Sequence, residues 1–238
     1  MTTELTFSKR TVDLLANFGN INQSILLRKG KVLRSMHNEY QMFTKAEIVE
    51  DIPEEFAIYD LNTFLSTLSS FEEPTLKLDS KTKRMIISKG QRKTYLKYAD
   101  LDHIVTPSEG DIKLKDVFCN FVITKEALTN AQKFLGILSL PEFAITVKKG
   151  KLSIECIDSA NIQQNENTEN FYSDTLGKVE GDDFRVILRG EYINYLMKSE
   201  DYTVSIGKFT KDDDVSALVN FKGSDVSYFV ASEASSVI

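Results

Sequence analysis

Residues 124–156 read TKEALTNAQKFLGILSLPEFAITVKKGKLSIEC, and two periodicities meet inside them. In the first half, Leu128, Ala131, Leu135 and Leu138 recur at three- and four-residue intervals, which lays apolar side chains along one face of a helix; Thr124-Lys125-Glu126 opens it. In the second half, Phe143, Ile145 and Val147 alternate with outward residues along Glu142 to Lys148. The chain then turns at Lys149-Gly150-Lys151 and returns through Leu152, Ile154 and Cys156. Period two on both sides of a glycine turn predicts an antiparallel hairpin with one buried face.

The same order stands earlier in the chain. Ser8 to Asn20 carries Val12, Leu15 and Phe18 at helical spacing, with Arg10, Asp13, Asn17 and Asn20 opposite and Ser8 placed to cap. Strand-like runs follow at Ser24 to Lys29, Lys31 to Met36 and Tyr40 to Val49, and they read as an antiparallel meander across Lys29-Gly30-Lys31. The two Lys-Gly-Lys turns are separated by about half of the 238-residue chain. A second unit also repeats. Tyr59 to Phe71 predicts a short helix with Leu61, Leu65 and Leu68 inward, then strands at Thr75 to Leu78, Arg84 to Ser88 and Lys93 to Tyr98. Its counterpart is a strand at Phe184 to Leu188, a helix carrying Ile193, Leu196 and Met197, and strands at Thr203 to Ile206, Val215 to Phe221 and Val226 to Val230. The expected fold is α+β: four units of strand, helix and three strands, grouped in two similar domains. Thr106-Pro107-Ser108-Glu109-Gly110 has the composition of an exposed connector, so the expected divisions are 1–106, a connector at 107–116, and 117–238.

Composition removes several function classes. Cys119 and Cys156 are too few for a disulfide framework or a four-cysteine zinc site, and His37 and His103 have no ligand-type neighbours. The Gly-Lys pairs at Gly30, Gly150, Gly177 and Gly207 are each followed by an apolar residue, where a phosphate loop needs Ser or Thr. Asp212-Asp213-Asp214 reads as a solvated turn, because successive residues of an extended chain point in alternate directions. No catalytic constellation, metal site or cofactor is expected. The apolar runs fall far short of the roughly 20 residues that span a bilayer, and no basic-then-apolar leader opens the chain. A non-membrane, intracellular protein is expected, of net charge −6 from 29 Lys and Arg against 35 Asp and Glu.

Four patches resemble a known family: Phe7-Ser8-Lys9, Asn17-Phe18-Gly19-Asn20-Ile21-Asn22, Ala57-Ile58-Tyr59-Asp60-Leu61-Asn62-Thr63-Phe64-Leu65, and Ala144-Ile145-Thr146-Val147-Lys148-Lys149-Gly150-Lys151. Their order and spacing are similar to those of the sliding clamps, the polymerase processivity factors, of T-even-type bacteriophages. The resemblance implies the DNA-clamp fold and a homotrimeric ring, with helices lining a hole, sheets forming the outer wall and duplex DNA passing through. It implies four kinds of partner: DNA held without reading sequence, a polymerase C-terminal peptide, a separate ATP-driven clamp loader and late-transcription factors. The setting it implies is the cytoplasm of an infected bacterium.

Under that resemblance the basic helix residues Lys9, Arg10, Lys125, Lys133, Arg189 and Lys198 would face DNA, while the second helix offers only Asn62, Ser66, Thr67 and Ser69. Residues 77–97 carry eight basic residues against Asp79 alone, which reads as a nucleic-acid patch or as an edge meeting an acidic partner. The clamp resemblance suggests pairing the strand with Arg92, Lys93, Tyr95 and Lys97 to the strand of Phe171 and Asp174, which follows Glu166 and Glu169, across a subunit interface. A partner-peptide pocket would take Met36, Ile104, Val105 and Pro107, with Tyr228 or Phe229. Competing readings are a monomeric scaffold of the same fold, an enzyme with dispersed catalytic groups, and a sequence-specific or single-strand DNA-binding protein using Tyr95 and Tyr98 among the basic residues.

Overall fold

The computed structural model describes residues 2–160, 171–211 and 214–238. The first repeat runs β1 (Thr2–Leu5), α1 (Lys9–Ile21), β2 (Ile25–Leu27), β3 (Gly30–Met36) and β4 (Met42–Ile52). The second runs β5 (Phe56–Ile58), α2 (Leu61–Ser69), β6 (Thr75–Asp79), β7 (Arg84–Lys89) and β8 (Arg92–Lys97), closed by a 3-10 turn at Leu101–His103. The third is β9 (Lys115–Ile123), α3 (Lys125–Ile137), β10 (Glu142–Lys148), β11 (Lys151–Ile157) and β12 (Tyr172–Lys178). The fourth is β13 (Phe184–Arg189), α4 (Gly190–Asn194), β14 (Tyr202–Lys211), β15 (Asp214–Lys222) and β16 (Val226–Ala231). Two units divide the chain, residues 1–109 and 110–238.

In the first unit, Ser8 accepts the Thr11 N–H and starts α1, and burial of Leu14, Leu15 and Phe18 holds the helix down. Its seam is turned slightly from the expected one: Leu14 is fully buried and Val12 only half-buried. α1 meets α2 at Gly19, where a Cβ would lie 3.4 Å from Leu61 Cβ, so a small residue sets the approach of the two helices. One antiparallel sheet has the order β1-β6-β7-β8; β3 pairs with β4, and β2 pairs with β5. The last pairing corrects the expected meander. Ile25, Leu26 and Leu27 are consecutive buried residues that need cover on both faces, and Gly30, at φ 111°, makes Lys29-Gly30-Lys31 a corner between sheets.

The second unit holds the antiparallel sheet β12-β11-β10-β13, and a second sheet in which β14 pairs with β9 and β15, and β15 with β16. The hairpin of residues 142–157 forms as expected, Phe143 opposite Cys156 and Val147 opposite Leu152. α4 is shorter than its apolar spacing suggested. The buried Gln132 amide of α3 donates to the Ile193 carbonyl at 2.7 Å and the Leu196 carbonyl at 3.0 Å, satisfying acceptors that another helical turn would have used. The C-terminal segment lies along β13, with the Glu233 N–H on Ile187 O and reciprocal bonds between Arg185 and Val237. No helix among the described residues is long and apolar enough to cross a membrane.

Candidate functional site

The outward faces of the helices are small and nearly neutral. On α1 the residues left outside the core include Lys9, Asp13, Ala16 and Asn20. The exposed Lys9 ammonium lies 2.7 Å from the Asp13 carboxylate, an i,i+4 pair that cancels its charge locally. Arg10 is half-buried beside it. On α2 the hydroxyls are folded back: Thr67 donates to Thr63 O at 2.7 Å and Ser69 to Ser66 O at 3.0 Å. On α3, Lys125 and Lys133 are exposed, as is Glu126. The remaining pair departs from expectation. Arg189 ends β13 at the residue before α4, its Nε turned to Glu233 at 2.9 Å and making no cap bond to the helix, and Lys198 stands exposed in the turn after α4, not on a helix.

Two sheet edges carry the other expected residues. β8 is the outermost strand of β1-β6-β7-β8, and β12 the outermost of β12-β11-β10-β13. Along β8, Arg92, Lys93, Tyr95 and Lys97 are exposed, while Thr94 and Leu96 are half-buried towards Ile87 and Met85. Period two therefore places Lys93, Tyr95 and Lys97 together on the outer face of the sheet, with the Lys93 ammonium 5.7 Å from the Tyr95 ring centroid. Beside β12, the Tyr172 ring stacks on Phe134 of α3 with centroids 4.5 Å apart, and Phe171 is 60% exposed just before the strand. Burial, then the neighbouring Asp174 charge, raises the Tyr172 hydroxyl above its ordinary pKa. Glu166 and Glu169 lie outside the described residues.

Comparison with known proteins decides the family. Residues 8–106 match the family model of DNA polymerase processivity factors, and residues 120–234 that of the gp45 sliding clamp, C terminal. The sliding clamp of Escherichia phage RB69 is 30% identical over 236 residues, covering 96% of this chain and 97% of that protein. The chain belongs to the sliding-clamp family. It is also 26% identical over 231 residues to the sliding clamp of Vibrio phage KVP40, covering 95% of this chain and 98% of that one. Among solved structures, PCNA from Thermococcus kodakaraensis shares the fold at a TM-score of 0.68 and 15% identity, covering 98% of this chain and 100% of that one. The DNA polymerase III subunit beta of Pseudomonas aeruginosa does so at 0.66 and 12%, with 98% of this chain and 65% of that one covered. The expected α+β clamp fold is thus the observed one, and the chain is a polymerase processivity clamp.

The residues expected in the clamp's peptide pocket have unlike surroundings. In the first unit, Met36 is half-buried at the end of β3, its carbonyl accepting the Asn22 amide at 2.9 Å. Ile104 and Val105 are half-buried after the 3-10 turn, and Pro107 is buried with its carbonyl held by Arg28 Nη2 at 3.1 Å. In the second unit, Tyr228 is fully buried and packs edge-on against Tyr202 at 6.0 Å. Burial pushes its hydroxyl well above the ordinary phenol pKa. Tyr228 is a core residue of this clamp and no part of an open pocket, because β16 buries it beneath the sheet; Phe229, its neighbour, is 8% exposed. One feature escaped the sequence reading: a cleft of about 640 Å³ in the first unit, lined by Asn20, Asn22, Asn38, Tyr59, His103 and Val105. The asparagines of 17–22 were visible as a cluster, but their convergence with His103 is a tertiary fact.

Proposed function

We propose that this clamp assembles head to tail into a homotrimeric ring, with β8 of one copy beside β12 of the next and residues 107–116 as the connector between its two domains. The observation that supports this reading is the pair of unlike open edges, one in each unit, β8 flanked by Arg92, Lys93 and Lys97 and β12 by Asp174 and Phe171. An open edge offers unused backbone donors and acceptors, and opposite charge beside two such edges favours one register over others. Duplex DNA passes through the ring past the near-neutral helix faces, with Lys125 and Lys133 as its main basic contacts. Few phosphate contacts suit a ring that slides, since retention then comes from closure and not from affinity.

In this reading the protein acts without catalysis, raising the effective concentration of a polymerase whose C-terminal peptide docks near Met36 and Val105. A separate ATP-driven loader opens and closes the ring, late-transcription factors use the loaded ring, and the work is done in the cytoplasm of the infected host. Light scattering over a dilution series tests the assembly. The wild type should show three times the chain mass of 27.0 kDa, and Lys93→Glu with Lys97→Glu should shift it towards one chain at low micromolar protein. A double variant of unchanged mass would move the interface elsewhere.

A further inference from the structure

The outer face of the sheet β1-β6-β7-β8 carries more positive charge than an edge requires. Residues 77–97 hold eight basic residues and one acid, a net +7 in a chain of net −6. Strand register sorts those charges. On the face turned from the core, Asp79, Arg84 and Lys97 stand in one cross-strand row, and Glu4, Lys77, Ile86 and Tyr95 in the next. Lys77 is neutralised by Glu4 at 2.7 Å, and Lys89 by Glu73 at 3.3 Å.

Among the described residues, neither Arg84 nor Lys97 forms an ion pair within 4.0 Å. Asp79 is in register with Arg84 and keeps its charge, but its oxygens are turned to its own loop, accepting Lys81 N–H at 3.1 Å, Thr82 N–H at 3.3 Å and the Thr82 hydroxyl at 2.8 Å. Two cations directly opposite on neighbouring strands repel, a cost an anionic ligand would remove. Beside them half-buried Ile86 and the 49% exposed Tyr95 form an apolar strip, with Lys93 over the ring and Lys81 and Lys83 exposed in the adjoining turn.

We propose that this face is a docking surface for an acidic, extended protein segment. Its carboxylates would lie on Arg84, Lys97 and Lys93, and an aromatic or aliphatic side chain would cover Ile86 and Tyr95. A polynucleotide fits less well. The cations are interrupted by Glu4 and Asp79, which would meet a continuous phosphate lattice with like charge, and one lysine-covered tyrosine is not a stacking series. The surface lies on one chain and shares Lys93, Tyr95 and Lys97 with the strand of the ring contact, while Arg84 and Ile86 stand on the inner strand β7 and Lys81 in the turn before it, so substitutions at Arg84 and Lys81 probe this face apart from the ring edge.

The test is fluorescence anisotropy with a labelled peptide of about twelve residues, alternating glutamate and serine around one central phenylalanine, titrated with the full-length protein at low salt. The expected result is saturable binding that weakens with salt and at least tenfold in Arg84→Glu, while Lys222→Glu, an exposed lysine of β15, binds as wild type. Lys81→Glu, in the turn, gives the same loss by a second route should Arg84→Glu fold poorly. Light scattering on the same samples separates this surface from the ring contact: Arg84→Glu should lose the peptide and keep the wild-type mass. Equal binding by wild type and both variants overturns the proposal. So does a short DNA duplex that displaces the peptide from the wild type and loses affinity in the same variants, which would make the face a nucleic-acid surface.

Discussion

The carboxylate of Glu50, on β4, receives the hydroxyl of Thr11, on α1, at 2.5 Å, and also accepts the Ser8 backbone N–H at the start of that helix. A strand thereby supplies the negative group that a helix N-terminus favours. Burial alone would raise the Glu50 pKa, but the bonds from Thr11 and Ser8 outweigh it and hold it below its ordinary value of 4.5. A depressed carboxylate stabilises the fold above its unfolded pKa and loses that contribution as pH falls through the folded one. Glu50→Gln should therefore cost about 1 kcal/mol at neutral pH, and the gap from wild type should close on acidification. Urea unfolding across pH 3 to 7 measures both; a gap that stays constant would show that charge is not what matters.

Gln132 ties α3 to the end of α4 through the Ile193 and Leu196 carbonyls. Gln132→Leu keeps much of the volume and takes the buried amide donor from both carbonyls, of which Ile193 O retains the Leu196 N–H at 3.2 Å. The expected loss is about 1–3 kcal/mol, read as a lower urea midpoint with an unchanged slope.

At Gly207 a Cβ would lie 2.6 Å from the Lys115 carbonyl oxygen and 3.2 Å from Leu114 Cβ, beside the register shifts where β14 meets β9. Backbone stands in the way, so no rotamer change relieves the contact. Gly207→Ala should lower the melting temperature by several degrees, a cost of about 1–3 kcal/mol. A variant melting with the wild type would mean that residues 114–115 give way freely.

Arg28 is mostly buried, donates to Pro107 O at 3.1 Å and sits 3.3 Å from Glu109 and 3.9 Å from Glu55. Arg28→Ala should free residues 107–109 while sparing the core. Limited proteolysis should then cut beside Ser108 several-fold faster than in wild type, with little change in melting temperature.

Local signals carried most of the fold. Ser8 and Thr124 cap helices where the apolar period begins, and the turn at Gly150 joins two strands whose alternation was already visible. What failed was decided at a distance. β2 pairs with β5 because Ile25 of the first repeat and Ile58 of the second come together across more than thirty residues, and no local period encodes a partner. α4 stops where it does because Gln132, more than sixty positions earlier, takes its carbonyls. Alternation put Tyr228 on a definite side of β16 without revealing that this side is fully covered. Among the basic residues, the sequence showed that charge was present; whether it is spent, as at Lys9 and Arg189, or left over, as at Arg84, depends on which acid folds back beside it.

The edges of β8 and β12 are different strands with different flanking side chains, so neither is its own complement. Copies joined through them must all stand the same way up. A closed assembly of that kind has a front and a back: every α1 points in one sense around the circle, and the rim nearest one set of loops is chemically unlike the rim nearest the other. Any protein that grips one rim is then oriented relative to the thread through the centre, and so acquires a heading along the duplex without reading a single base.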